Sequence, residues 1–264
     1  MESTADAPVL VSRDGTVLWI TLNRPDRLNA VSLELYEILA EVVRRADVEP
    51  SIRCLVLTGA GRAFCAGADL KAHAASPMPD RDRRRYGRAA QRANRMLQRC
   101  GKPVVAAVNG AAVGAGLELA LSCDFIVVAD DAKLRLPELV VGTFFGGGLA
   151  HTLTQRVGFT RAKELLFLGD FFSGANAAAT GLANMAVPGV SVMETARAIA
   201  QRLAERAPVP MRLAKRLLHR APRLTRRAVM REEERALVAC MATKDWAEGI
   251  AAQRERRSPR YLGE

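Results

Sequence analysis

The 264-residue chain reads as an α/β fold with parallel strands, followed by a purely helical C-terminal part. Through the first half, short apolar runs alternate with helically spaced segments, the pattern of strands joined by helical crossovers. From Ser191 that alternation stops and only helical periodicity remains. No Gly-, Ser- or Pro-rich linker separates the two parts and no internal repeat is visible. Residues 1–190 are therefore assigned to an α/β core and 191–264 to a helical region of the same functional domain.

The elements follow in order. Val17-Leu-Trp-Ile-Thr-Leu22 is apolar and β-branched enough for a strand, and the Asn-Arg-Pro after it turns the chain. Ser32 to Ala46 has helical spacing, with Ser32 placed to cap it. Cys54-Leu-Val-Leu-Thr58 is a buried strand ended by Gly59. Val104–Val108 and Phe125–Ala129 are two more, separated by a helix beginning near Gly114. The stretch Ala74 to Arg88, with Ser76-Pro-Met-Pro-Asp80 followed by bases, is expected to be the least structured part. Ser191-Val-Met-Glu194 has capping-box spacing and opens a helix over Thr195–Arg206. Pro208 and Pro210 break it, a basic amphipathic helix runs to His219, and Leu224–Ala242 forms a longer one.

Composition narrows the class. An apolar fraction of 49% with 25% charged residues suits a soluble globular protein. The most apolar region, Val104 to Leu121, is interrupted by Asn109, glycines and Glu118, which is wrong for a helix in lipid. The start, Met-Glu-Ser-Thr-Ala-Asp-Ala-Pro, has neither a basic n-region nor an apolar h-region, so no signal peptide is expected. Cys54, Cys65, Cys100, Cys123 and Cys240 are odd in number and scattered, which suits reduced, buried thiols in the cytoplasm.

The net charge of +11 raises nucleic-acid binding. Arginine carries it, in Arg81-Asp-Arg-Arg-Arg85, between Arg88 and Arg99, and from Arg202 to Arg235. Acids interleave the bases in Arg226–Arg235 as on a solvated helix face, and interleaved aromatics are missing. The bases are read as solvated surface, with some serving an anionic ligand, rather than as a nucleic-acid site.

Two small-residue motifs carry the chemistry: Arg62-Ala-Phe-Cys-Ala-Gly-Ala-Asp69 and Asn109-Gly-Ala-Ala-Val-Gly-Ala-Gly-Leu-Glu118. Small residues let backbone N–H groups approach a ligand closely. Glu118 and, downstream, Glu138 in Leu136-Pro-Glu-Leu-Val-Val-Gly142 are carboxylates that can divide acid and base work. With these motifs the chain resembles the crotonase family, the enoyl-CoA hydratases and isomerases. The resemblance runs from Asn23-Arg-Pro-Asp-Arg-Leu-Asn-Ala30 to the tail Glu248–Arg260.

That resemblance implies a spiral of ββα units with a C-terminal helical trimerisation region, trimers commonly paired into hexamers, and a 2-enoyl-CoA thioester as substrate. Coenzyme A's phosphates would use some of the bases, and no metal or redox cofactor is implied. When water adds to the β-carbon of such a thioester, negative charge moves onto its oxygen. Two N–H donors aimed there are worth on the order of 3–4 kcal/mol each. By position these are the amides of Ala68 and Ala115, the latter standing where the family often has glycine, with Gly114 and Gly116 beside it. Glu118 and Glu138 match the family's catalytic pair, which grips one water; their joint presence implies hydration rather than isomerisation alone. Arg27, Leu28 and Lys71 match positions near the coenzyme, and Ala66 and Leu70 are expected to face its adenine end through backbone atoms. Asp69 and Gly114 fall within the same expected coenzyme-binding set, Asp69 read as a structural hydrogen-bonding residue rather than an acid catalyst. Phe145 stands where the family usually has proline, and Phe144-Phe145 is expected either to reshape the acyl pocket or to pack in the core.

Competing motifs are weaker. Gly114-Ala-Gly-Leu-Glu-Leu119 lacks the third glycine of a dinucleotide fingerprint. His73, His151 and His219 have no metal spacing, and no Gly-x-Ser-x-Gly is present. Isomerisation or a specialised dehydration on the same fold, and RNA binding as in one branch of the family, stand as alternatives. Chain length and pathway are not legible.

Overall fold

The computed structural model describes residues 6–69 and 78–264. Among these residues, ten strands form two sheets. β1 (Val9–Asp14) and β2 (Val17–Leu22) make an antiparallel hairpin, and β2 continues in parallel with β3 (Cys54–Gly59), β5 (Val104–Val108), β7 (Phe125–Ala129) and β10 (Met185–Val187). The second sheet orders β4 (Ala63–Cys65), β6 (Ala111–Val113), β8 (Lys133–Arg135) and β9 (Phe172–Ser173), with only β9 antiparallel. Each pair β3–β4, β5–β6 and β7–β8 thus gives one strand to each sheet. A helix follows each pair: α2 (Asp80–Arg99), α3 (Ala115–Leu121) and α4 (Leu149–Phe167). That is the ββα spiral. β3 and β5 are buried along their whole length, as strands covered on both faces must be.

α1 (Leu33–Val48) packs on α2, and α6 (Val192–Ala204) packs on β3, β5 and β7. α5 (Gly174–Ala179) leads into β10, and α7 (Pro208–Arg220), α8 (Arg226–Met241) and α9 (Lys244–Glu255) complete the C-terminal part. Ser32 caps α1, its side chain accepting from Leu35 N–H at 3.1 Å. No helix among the described residues is long and apolar enough to cross a membrane.

Two expectations are corrected. Residues 80–88 form the first turns of α2, not a loop; residues 74–77 of that expectation lie outside the described residues. Asp80 and Asp82 suit the positive end of the helix, and Asp80 pairs with Arg83 and Arg84 one turn on. The proposed capping box does not form. α6 begins at Val192, and Ser191 is itself helical with no side-chain cap bond.

Candidate active site

Asn29 organises the first half of the site. Fully buried and left-handed at φ 57°, it donates to the carbonyls of Ala60 and Ala63 and accepts from Arg24 N–H. The loop is thereby fixed on β4, where the Leu28 carbonyl accepts from Ala66 N–H and Val31 bridges Ala68. Buried Asp69 holds Arg24 at 2.9 Å and Arg27 at 3.2 Å, clamping the two arginines. Ala66 therefore has only its carbonyl to offer a ligand, and half-exposed Arg27 reaches solvent from the clamp. Leu70 and Lys71 lie outside the described residues.

The two small-residue motifs meet because β4 and β6 pair in parallel, Ala63 opposite Ala111 and Cys65 opposite Ala112. Gly67, at φ 95°, is where they touch: a Cβ there would lie 2.7 Å from the Val113 carbonyl oxygen and 3.8 Å from the Ala115 amide nitrogen. Ala115 opens α3, so its N–H has no acceptor within the helix. Ala68 N–H makes no hydrogen bond among the described residues, its neighbours taking both bonds of the bridge to Val31. Among the described residues, two amides without acceptors thus sit on adjoining chain segments.

Both glutamates are buried beside them. Glu118 lies on α3, one turn from Ala115, and its Oε1 accepts from Gly146 N–H at 2.6 Å. Glu138 lies against Gly114, whose Cβ would sit 2.8 Å from Glu138 Oε1; with φ 52° this makes glycine doubly necessary at 114. Glu138 Oε2 is buried with no hydrogen-bond partner among the described residues. Burial pushes the Glu118 carboxyl up to about 7, opposed by the Gly146 N–H and assisted by the Glu138 charge. Burial also raises Glu138, opposed by its own backbone N–H. Glu118 thus titrates near neutrality beside a second carboxyl that burial also raises, the condition for acid–base work there.

Helix α2 supplies residues that sequence reading missed. Gln91 Nε2 lies 3.5 Å from where a Cβ on Gly146 would stand, next to Glu118 Oε2 at 3.2 Å. Gln98 donates to the Gly147 carbonyl and to Ser122 Oγ, and Ser122 Oγ donates to Asn94 Oδ1. These bonds pin the 146–148 loop that holds Glu118. The one signal for it was the Gly146-Gly-Gly148 run. Phe145, immediately before, is half-buried against the core and stacks on exposed Phe144 with centroids 4.2 Å apart. Tyr36 and Tyr86 meet edge to face at 5.6 Å; burial raises both phenols, with a smaller contribution from the Glu118 charge.

A parallel ββα spiral of this kind is the crotonase fold. A profile described as Enoyl-CoA hydratase/isomerase matches residues 12–264, and the chain belongs to that family. It is 34% identical over 259 residues to 2,3-dehydroadipyl-CoA hydratase of Escherichia coli, covering 97% of this chain and 98% of that one. It is 32% identical to a short-chain-enoyl-CoA hydratase of Clostridium acetobutylicum, over 94% of this chain and 95% of that one. Among solved structures, an enoyl-CoA hydratase from Bacillus anthracis superposes with a TM-score of 0.93 at 36% identity, covering 97% of this chain and all of that one.

Proposed function

We propose that the protein is an enoyl-CoA hydratase, adding water reversibly across the double bond of a trans-2-enoyl-CoA thioester. The observation that carries this reading is the meeting of two buried carboxyls with two acceptor-free amides. Glu118, whose anion is favoured by the Gly146 N–H, takes a proton from water as its oxygen bonds to the β-carbon. The electron pair of the double bond moves onto the thioester oxygen, where the Ala68 and Ala115 amides stabilise it. Glu138, unpartnered at Oε2 and so easier to keep neutral, delivers a proton to the α-carbon. Proton exchange with solvent restores both groups. Coenzyme A enters as part of the substrate, near Arg27, Leu28, Ala66, Leu70 and Lys71, and no further cofactor is required. Phe145 is the proposed wall of the acyl pocket. Loss of the conjugated-thioester absorbance of crotonyl-CoA and longer enoyl-CoAs tests the reading; no loss with any chain length refutes it.

The pH dependence follows from the two raised carboxyls. A base must be ionised, so the rate is expected to fall as pH drops below about 7, where Glu118 takes up its proton. An acid must be protonated, so the rate also falls as pH rises through the raised Glu138 value. The two apparent values belong to the coupled pair. A profile of kcat/KM that stays flat from about pH 5 to pH 7, well above an ordinary glutamate, would contradict the base assignment.

A trimer, paired into a hexamer, is proposed for the assembly. In support, α8 buries no residue, and Met230, Leu237, Val238 and Met241 are each more than half exposed, while Val229, Ala236 and Cys240 are half-buried. Trp246 and Ile250 on α9 extend the apolar face. Patches of this kind mark interfaces. Sedimentation equilibrium at micromolar protein is expected to give a multiple of the chain mass; a mass near 28.6 kDa contradicts assembly.

A further inference from the structure

The basic segment that begins at Arg202 lines a concavity of about 980 Å³. Its walls are the end of α1, the residues leading into β3 and β5, and helix α7. It therefore lies at the amino-terminal ends of β3 and β5, whereas the Ala68 and Ala115 amides follow the carboxyl ends of β4 and β6. Among the described residues, nine lysines and arginines line it and one carboxylate, Asp47. Asp47 is already engaged, its Oδ1 accepting from Gly101 N–H at 2.7 Å.

Some of these cations have internal partners. Lys215 is buried against Asp124 at 2.7 Å, Arg220 faces Glu232, and Arg53 donates to the Tyr261 carbonyl. Arg99, Arg206, Arg212, Arg216 and Arg223 form no ion pair among the described residues. Guanidinium groups gathered in one concavity repel each other, and the repulsion is relieved by an anion carrying several charges. Guanidinium forks match phosphate oxygens in geometry as well as in charge. Val48 and Leu262, both largely exposed, add apolar wall suited to a ring. The volume is that of a small-molecule site, which ranges over roughly 300–1,000 Å³.

We propose that this cavity binds a pyrophosphate-bearing nucleotide of the ADP type, separately from the acyl substrate. The proposal gives the excess positive charge of the C-terminal part a ligand that neither the acid–base pair nor the amides account for.

Isothermal titration of the assembled protein with ADP, inorganic pyrophosphate and AMP tests it. ADP is expected to bind, weakening as salt rises, and AMP to bind about tenfold or more weakly for want of the second phosphate. The double variant Arg212→Glu/Arg216→Glu is expected to lose about tenfold or more in ADP affinity. Arg84→Glu/Arg88→Glu, which removes equal charge from α2 outside the cavity, is expected to leave it unchanged. If the glutamate variant fails to fold by circular dichroism, Arg212→Gln/Arg216→Gln keeps the side-chain volume and carries the same expectation. Pyrophosphate binding as well as ADP identifies the phosphates as the anchor; weaker pyrophosphate binding gives the ring a share, and both support the site. No binding of ADP, undiminished binding in the cavity variant, or equal loss in the α2 variant overturns it.

Discussion

Glu118→Gln and Glu138→Gln are each expected to lower enoyl-CoA hydration by roughly 10²–10⁴-fold while acyl-CoA binding changes little. Glutamine keeps the volume of each side chain and, at 118, an oxygen to accept from Gly146 N–H, so the geometry survives and only proton transfer is lost. A variant that keeps more than a tenth of the activity has lost less than ~1.4 kcal/mol of transition-state stabilisation, and its glutamate is then no essential acid or base. Stability supplies a second readout. A carboxyl raised from 4.5 to about 7 by burial favours the folded state fully only below its unfolded value. That contribution is lost as pH rises through about 7, and the whole shift corresponds to on the order of 3 kcal/mol. Thermal melts of Glu118→Gln should therefore gain on wild type more at about pH 8 than at about pH 5. Equal gains at both would mean that Glu118 is not held against its charge.

What was legible in the chain follows from how local each cause is. β3 and β5 are buried on both faces, so they appear as unbroken apolar runs, and Ser32 caps α1 by a bond three residues away. β1 is only partly buried and alternates weakly, so it leaves little strand signal; β4, β6 and β8 are three residues each, and β4 and β6 lie inside motifs of small residues that mask them as strands. At the start of α2 the charge density looks like loop in the sequence and hides a helix supported by Asp80–Arg84 pairing. The roles of Glu118, Glu138 and the Ala68 and Ala115 amides come from the family resemblance of their motifs, not from any local pattern. Their support was not legible: Gly146 holds Glu118 from 28 residues away, and Gln98 reaches Gly147 across 49. Such contacts exist only once α2 and the 146–148 loop have packed, so no local pattern encodes them.

Ala68→Pro is expected to cut turnover by roughly 10²–10³-fold, the cost of removing one oxyanion donor. Proline deletes an N–H and fixes φ. Elsewhere a deleted amide also breaks the fold's own hydrogen bonds, but here both bonds of the bridge to Val31 come from Gly67 and Asp69. The residue before the proline is the usual casualty, through its Cβ, and at Gly67 there is none. The fold is therefore expected to persist, checked by circular dichroism and by coenzyme A binding. Ala68→Gly, which keeps the amide and removes only the methyl group, separates donor from side chain and is expected to stay within about tenfold of wild type. A folded, coenzyme-binding Ala68→Pro protein with normal turnover would show that the enolate charge is held elsewhere. Parallel loss in the proline and glycine variants would place the effect in loop shape, leaving Ala115 as the donor to test next.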